Sequence, residues 1–185
     1  MSDAALLLFR DDLRLTDNPA LLAAVASKKP LVLAYIHEDR PAGGRPLGGA
    51  SAWWLHHSLA SLARDIEKRG GTLYFFKGAS SKIMDKLVAD HAVSAIYWNR
   101  RYHPVQVEAD KALKAHYEAK GIPVKSFNGS LLREPWEVKS KTGNPMKVFT
   151  PYWRASRLDH DVAAPEAAPK KLTSLDVKTM SGAVP

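Results

Sequence analysis

The stretch LLLFRDDLRLTDNPAL, residues 6–21, places an apolar run directly before a cluster of charges. The run ends at Phe9, and two arginines and three aspartates lie within the next eight residues. Continuous rather than alternating hydrophobicity predicts a strand that is covered on both faces, as strands of parallel sheets are. We therefore expect a buried central strand whose carboxyl end emerges into a polar crevice.

Four more short apolar runs, rich in β-branched and aromatic residues, alternate with segments of helical periodicity. The five predicted strands are AALLLF (4–9), PLVLAYI (30–36), TLYFF (72–76), VSAIYW (93–98) and IPVKSF (122–127). Five strands joined by four helices predict a doubly wound α/β domain with helices on both faces of the sheet. The fold class is therefore a Rossmann-like, five-stranded parallel sheet of order 3-2-1-4-5.

The turn after the first strand is expected to be structural before it is anything else. Asp17 or Asn18 can cap the first helix, because Pro19 follows at the position where a missing N–H costs nothing. Asp12 and Arg14 precede the cap, and we assign them to the same turn, held by pairing between aspartate and arginine.

The other three helices are predicted from apolar spacing and terminal signals. The second covers about 51–69 and ends at the glycine pair 70–71. The third begins at a cap formed by Ser80 or Ser81, and the fourth runs over about 105–120.

The alternation stops after Phe127, and the rest of the chain reads as largely irregular. Sixty residues without regular structure are unusual in a compact domain. Trp136, Tyr152 and Trp153 are nevertheless large aromatic side chains that need a surface to bury against. We therefore predict an α/β domain over 1–130 and an interdomain linker over 131–185 that leads to a second, absent domain.

Composition limits the class of protein. The chain has 185 residues, a net charge of +8 and a sequence pI of about 9.7, which favour a polyanionic partner or simply solubility. It has no cysteine, so disulfides, thiolate zinc sites and a cysteine nucleophile are excluded. No apolar run is long enough for a membrane span, and we expect a cytoplasmic protein.

Several familiar sites are absent from the sequence. Neither the dinucleotide fingerprint G-x-G-x-x-G nor the P-loop G-x-x-x-x-G-K-[ST] occurs, and no serine lies in a G-x-S-x-G elbow. His56 and His57 are neighbours on one helix and point about 100° apart, which disfavours a shared metal, so we expect no metal site. No catalytic constellation is contained in the chain, and we predict no catalytic residue in it.

The candidate ligand site is the crevice at the carboxyl edge of the sheet, where the strand order reverses. The residues that we expect to contact a ligand there are Arg10, Ile36, His37, Glu38, Arg101, Tyr102, His103 and Gln106. Three of them, Arg10, Arg101 and His103, together with Arg100, suit an anionic ligand such as a phosphate, a polyglutamate or a flavin phosphate.

Four segments carry a resemblance to one family. The segment FRDDLRLTDNPAL (9–21) resembles the N-terminal signature of photolyases and cryptochromes. The segments WWLHHSLASL (53–62), YWNRRYHP (97–104) and GNPMKVFTPYWRA (143–155) follow in the family's order.

The resemblance implies a two-part parent protein. In the family, an α/β domain like this one precedes a helical domain that binds FAD and receives damaged DNA, and light drives the repair of pyrimidine dimers. By resemblance the chain is the antenna half of such a flavoprotein, inactive alone, and the full-length form is expected to be a monomer.

The resemblance leaves the antenna chromophore open among folate, deazaflavin and flavin, with an empty crevice as the alternative. Folate-binding members have an Asn-Glu pair where this chain has Val105 and Gln106. Deazaflavin-binding members have acidic side chains at positions that match Arg101 and His103. Two further functions also remain open: the same domain of a cryptochrome photoreceptor, and a free-standing nucleotide-binding α/β module.

Overall fold

The computed structural model describes residues 3–38, 45–140, 142–158 and 163–175. The elements in chain order are β1 (Ala4–Phe9), α1 (Pro19–Ala26), β2 (Leu31–His37), α2 (Gly49–Glu67), β3 (Leu73–Lys77), α3 (Ser80–His91), β4 (Val93–Asn99), α4 (Pro104–Ala119), β5 (Val124–Phe127) and α5 (Phe149–Leu158). All strand pairs are parallel and the order is β3-β2-β1-β4-β5, which confirms the predicted topology. Within the described ranges, no helix is long and apolar enough to cross a membrane.

The central strand explains the continuous apolar run of the sequence. Every residue of β1 is at most 3% exposed, because both faces of the sheet are covered. Leu6 and Leu8 pack on the face that carries Met84 of α3 and Tyr117 of α4. The alternate residues, including Leu7, pack on the opposite face with α1 and α2. Two hydrophobic cores therefore lie on either side of one strand.

The first turn is held differently from the prediction. Asn18 caps α1, since its side chain accepts a hydrogen bond from the Leu21 amide at 3.1 Å, whereas Asp17 adopts a left-handed φ of 50°. Arg14 does not pair with an aspartate as predicted. Its guanidinium donates to the backbone oxygens of Asp17, at 2.9 Å, and Gly129, at 2.6 Å. The turn is thus fixed to a distant strand end as well as to itself.

Helix α3 is capped by a residue from another element. Neither Ser80 nor Ser81 accepts a cap hydrogen bond, contrary to the prediction. The Ser80 amide donates instead to Glu38 Oε1 at 2.7 Å, so a carboxylate that follows β2 satisfies the start of the helix. A negative charge at a helix N-terminus is also favoured by the helix dipole.

The chain forms two compact units, and their boundaries differ from the predicted division at residue 130. One unit combines the chain up to Gly129 with the segment from Glu166, and the other spans Ser130–Pro165. Residues 166–175 return to the α/β domain: the Leu31 amide donates to the Thr173 oxygen at 2.8 Å, and the Leu175 amide donates to the Leu31 oxygen at 2.8 Å. The sequence pattern gave no sign of this return, because the segment has neither helical nor strand periodicity.

The returning segment inserts Leu172 into the α/β core, where it is 1% exposed. It fits there because Gly71 has no side chain. A Cβ at Gly71 would lie 3.1 Å from the Leu172 Cβ and 3.0 Å from Ile66 Cγ2, which leaves no room for a larger residue. The glycine pair that follows α2 therefore also leaves room for the returning segment, residues 166–175, which we call the strap.

The unit Ser130–Pro165 is not irregular throughout. Lys139 and Pro145 form an antiparallel bridge, and α5 follows. On α5 the rings of Phe149 and Trp153 stack with centroids 6.2 Å apart, yet the two residues are 73% and 49% exposed. Phe149 and Trp153 therefore form an exposed aromatic stripe on α5. The sequence had predicted an irregular linker in this region.

An acidic side chain ties α3 to α4 on the outer face of the sheet. Asp85 accepts hydrogen bonds from Lys120 Nζ at 2.9 Å and from the Tyr117 hydroxyl at 3.2 Å, and its Oδ1 lies 3.0 Å from His116 Nε2. The Lys120 ammonium, followed by His116, holds the pKa of the Asp85 carboxyl below its ordinary value of 3.8.

Because the folded-state pKa of Asp85 is depressed, its contribution to stability is present above the ordinary value and is lost as the pH falls through the folded-state pKa. We expect the urea midpoint of Asp85→Asn to fall less steeply than that of the wild type between about pH 5 and pH 3. The effect is small, since the side chain is half-exposed. Asp65→Asn is the matched control, because it removes a carboxylate whose ion pair is local to α2 and does not join two elements. Equal slopes for Asp85→Asn and the wild type would contradict the assignment.

Candidate functional site

A cavity of about 190 Å³ lies at the carboxyl edge of the sheet. Its wall combines the ends of β1 and β2 with Arg101, which follows β4, and with residues of the neighbouring helices α3 and α4, because parallel strands bring these parts to one edge. The lining residues are Leu8, Phe9, Arg10, Asp11, Tyr35, Ile36, His37, Glu38, Arg45, Leu47, Ser80, Arg101, Gln106 and Leu113. We call this cavity the crevice.

The crevice contains six of the eight residues predicted to contact a ligand. The six are Arg10, Ile36, His37, Glu38, Arg101 and Gln106. The other two do not line it: the Tyr102 hydroxyl donates to Asn128 Oδ1 at 3.2 Å, and His103 is exposed at the start of α4. Both lie in the connection beyond β4, where the strand's alternation no longer sets the direction of side chains.

The crevice lacks the cluster of uncompensated cations that the sequence predicts. Arg100 turns to β5, where its guanidinium donates to the Ser126 oxygen at 2.5 Å. Arg10 and Arg101 share one carboxylate: Asp110 lies 2.5 Å from a guanidinium nitrogen of each. The four cations therefore do not form an anion site as predicted: Arg10 and Arg101 are paired with Asp110, and Arg100 and His103 lie outside the crevice.

Arg10 is the most enclosed of these cations. Its side chain is 11% exposed, and its guanidinium carbon lies 4.6 Å from the ring centroid of Trp98. Trp98 itself is 1% exposed, so it packs in the core, and its ring contacts the Arg10 guanidinium. Burial lowers the pKa of the Arg10 guanidinium, and the charge of Asp110 opposes that shift. The group stays charged, because arginine pKa values are far above neutrality.

Tyr35 contributes a phenol to the wall, at the end of β2. Burial raises the pKa of this phenol, and the charge of Asp11 adds to the shift, so the group is a neutral hydrogen-bonding hydroxyl at physiological pH. The crevice thus offers an aromatic ring and aliphatic side chains beside a few polar groups, which is the usual make-up of a small-molecule site.

Behind the crevice lies a fully buried polar network. Asn99 Nδ2 donates to Asp12 Oδ2 at 2.6 Å and to Asn18 Oδ1 at 2.9 Å, and Asn99 Oδ1 accepts from the Ala20 amide at 3.2 Å. Asp12 also accepts from the Arg10 amide at 2.9 Å. The network therefore joins the end of β4 to the turn after β1 and fixes the backbone from which Arg10 projects.

The network has no space for an extra methyl group beside it. A Cβ at Gly129 would lie 2.5 Å from Asn99 Cγ, a distance at which the asparagine would have to move. The Gly129 oxygen meanwhile accepts from Arg14. A glycine after β5 thus lets this part of the chain approach the network closely.

A second cavity, of about 350 Å³, lies beneath α2 and is larger than the crevice. Its lining residues are Tyr35, His37, His56, Leu59, Ala60, Ala63, Phe75, Phe76 and Lys77. Size alone favours this cavity. The crevice is the better candidate site because it lies at the reversal of strand order and combines charged groups from three strand ends with polar side chains from two helices.

Sequence reasoning missed Asp110, Tyr35 and Asn99. Tyr35 was recoverable, since it lies two residues before the polar end of β2. Asp110 lies in the middle of α4, six residues beyond Pro104, and only the packing of α4 on the sheet brings it to Arg10. Nothing in the sequence connects the two, 100 positions apart.

The fold and the crevice define a Rossmann-like α/β domain with a ligand site at the switch point of its sheet. The sequence profile of the DNA photolyase family matches residues 5–170. The chain belongs to this family.

Individual relatives agree with the profile. The chain is 46% identical over 166 residues to a deoxyribodipyrimidine photo-lyase of Agrobacterium fabrum, covering 90% of this chain and 34% of that protein. It is 37% identical over 172 residues to Cryptochrome-1 of Arabidopsis thaliana, covering 91% of this chain and 25% of that protein. The chain therefore spans about a third or less of these curated relatives.

A solved structure also resembles the whole described fold. The crystal structure of a bacterial class III photolyase from Agrobacterium tumefaciens matches with a TM-score of 0.88 and 43% identity, over 96% of this chain and 36% of that one. An archaeal photolyase from Sulfolobus tokodaii matches with a TM-score of 0.72 at 22% identity, which supports the fold alone.

Proposed function

We propose that this chain is the N-terminal, light-harvesting domain of a deoxyribodipyrimidine photolyase. The observation that carries the proposal is 46% identity over nine tenths of the chain to a protein of that name. In the proposed parent, a helical domain binds FAD and damaged DNA, and light absorbed by the protein drives the splitting of cyclobutane pyrimidine dimers. The parent is a monomer in this proposal and acts in the cytoplasm.

The exposed aromatic stripe on α5 supports the presence of a second domain in the parent protein. Phe149 and Trp153 leave a large apolar area in water, and contiguous exposed apolar surface of this kind marks interaction sites. Arg157 lies 5.5 Å from the Trp153 ring and borders the stripe with a positive charge. We assign this stripe to contact with the helical FAD-binding domain.

The crevice is the proposed site of an antenna chromophore. Its residues fit the ring of such a group: Tyr35 and Leu47 provide apolar wall, and Gln106 provides hydrogen-bonding atoms. A volume of about 190 Å³ is below the range of about 300–1,000 Å³ typical of sites that enclose a drug-sized ligand. We therefore propose that only the ring end of the chromophore enters. A bound chromophore would absorb light and pass the energy to the flavin.

Light-dependent repair tests the activity. We expect the full-length parent to restore a thymine-dimer oligonucleotide under near-ultraviolet or blue light, and we expect the 185-residue chain alone to show none. The reason is that no residue described in this chain forms a flavin site facing a lesion. Repair by the isolated chain would contradict the assignment of catalysis to the helical domain. Absence of repair by a flavin-loaded parent would favour a cryptochrome, which the 37% identity to Cryptochrome-1 supports.

Absorption of the purified parent tests the crevice. Gln106→Trp places a large ring at the mouth of the crevice, and we expect it to remove absorption beyond that of the flavin because the chromophore no longer fits. Glu108→Trp is the matched control, since it adds the same ring at an exposed position two residues away. Equal retention in both variants would place the chromophore elsewhere, and a wild-type spectrum with flavin alone would indicate that the crevice binds none.

A further inference from the structure

Cations do not outnumber carboxylates around the crevice among the residues that the structure describes. Three cations line it: Arg10, Arg45 and Arg101. Two carboxylates, Asp11 and Glu38, line it as well. The third negative charge is supplied from behind the wall by Asp110, which is 12% exposed and does not line the cavity.

Asp110 acts on the ligand site through two other residues. One of its oxygens lies 2.5 Å from Arg10 Nη1, and the other lies 2.5 Å from Arg101 Nη2. Hydrogen bonds between ionised partners at this distance are strong and fix the geometry of both guanidiniums. Asp110 therefore offsets one of the two positive charges of this pair, and it holds both arginines in place.

Neutralisation changes what the crevice selects. An uncompensated pair of guanidiniums on an enclosed wall would bind phosphate or carboxylate. Here the pair shares one carboxylate, and Asp11 and Glu38 line the same cavity, so the crevice as a whole offers an incoming anion little net positive charge. An anion would also have to lose its hydration and meet the negative charge of Asp110 close behind the wall.

We infer that Asp110 is a specificity-determining, positioning residue that makes the crevice select an uncharged ring and exclude an anionic group. The inference rests on the proposed function, in which the crevice holds the ring end of a ligand. The charged part of that ligand, whether phosphate or glutamate, then lies outside the crevice. The fold alone would allow the opposite arrangement, with an anion on the arginines.

Inorganic phosphate is a direct probe of this charge balance. Thermal unfolding of the chain is followed while phosphate replaces chloride at constant ionic strength. We expect little phosphate-specific stabilisation of the wild type. In Asp110→Asn the shape is kept but the carboxylate charge is lost, and we expect phosphate to bind about tenfold more tightly, equivalent to about 1.4 kcal/mol.

Two variants separate this effect from general electrostatics. Asp11→Asn removes a carboxylate from the crevice lining without freeing the arginines, and we expect it to gain much less phosphate affinity than Asp110→Asn. An equal gain in both variants, or no gain in a folded Asp110→Asn, would overturn the inference. If Asp110→Asn does not fold, the melting temperature of the wild type tests the inference instead. A phosphate-dependent rise that Arg101→Gln abolishes would overturn the inference. The absence of such a rise would support it.

Riboflavin and its 5′-phosphate share one ring system and differ by an anionic group. Their binding therefore separates the proposal that the crevice holds a chromophore ring from the proposal that Asp110 excludes an anion. We expect the wild type to bind riboflavin at least as tightly as the phosphate ester, and Asp110→Asn to shift the ratio toward the ester. Wild-type preference for the ester, lost in Arg101→Gln, would overturn the role of Asp110. If the wild type binds neither flavin while phosphate behaves as expected, the role of Asp110 is supported and the crevice loses its proposed flavin-type ligand.

Discussion

Replacing Asn99 with alanine is expected to lower the free energy of unfolding by about 3 kcal/mol. The substitution removes two donated hydrogen bonds, to Asp12 and Asn18, and one accepted from the Ala20 amide. Asp12 is 5% exposed and Asn18 is fully buried, so their polar atoms cannot turn to water. A buried group that loses its partner costs about 1–3 kcal/mol, and more when it is charged.

Urea denaturation followed by circular dichroism measures this loss. Asn144→Ala is the matched control, because it removes the same side chain from an exposed turn, where we expect a change below about 0.5 kcal/mol. A loss of less than about 1 kcal/mol in Asn99→Ala would mean that water or a rearranged side chain satisfies Asp12. Because the network also anchors the backbone of Arg10, we expect the variant to weaken ligand binding in the crevice as well.

Replacing Leu172 with alanine is expected to lower the free energy of unfolding by about 2–4 kcal/mol, the usual range for a buried leucine. The side chain is 1% exposed and lies against Gly71 and Ile66 in the α/β core. The closely packed site leaves a cavity when the side chain is shortened. The Leu172 amide still donates to the Arg69 oxygen at 2.8 Å, so the strap remains attached by its backbone.

Leu132→Ala makes the same chemical change at a residue that is 77% exposed, and we expect it to be close to neutral. Thermal and urea unfolding of the two variants distinguishes a strap that belongs to the domain from a linker that only passes over it. Similar stability of the two variants would mean that the strap contributes nothing and that the domain ends near residue 130, as the sequence pattern predicts. A chain ending at residue 165 should then be as stable as the longer one.

The fold was predictable because its signals are local. Buried parallel strands appear as short apolar runs, and the caps and glycines between them mark the ends of helices. Asn18 caps α1 as its place before Pro19 indicates, and Gly121, at a φ of 76°, follows the end of α4. The handedness of the connections limits the possible strand orders, and the order observed is one of the two that are common in doubly wound sheets.

The site was predictable only to the level of strand ends. Residues directly after a parallel strand must meet at one edge, and Arg10, Glu38 and Arg101 do line the crevice there. The direction of Arg100 and Tyr102 was not predictable, because each finds its partner on β5 or just beyond it, some 26 residues along the chain.

The sequence by itself determined the class of fold, the edge of the sheet that carries the crevice, and the family to which the chain belongs. Only the tertiary structure decided how the charges of the opening segment are used. Arg10 pairs with Asp110, 100 residues away, instead of with either adjacent aspartate, and Asp12 is buried among asparagines. The physical reason is that a charge leaving water must find a partner in three dimensions, and the packing of α4 on the sheet brings the nearest one to Arg10.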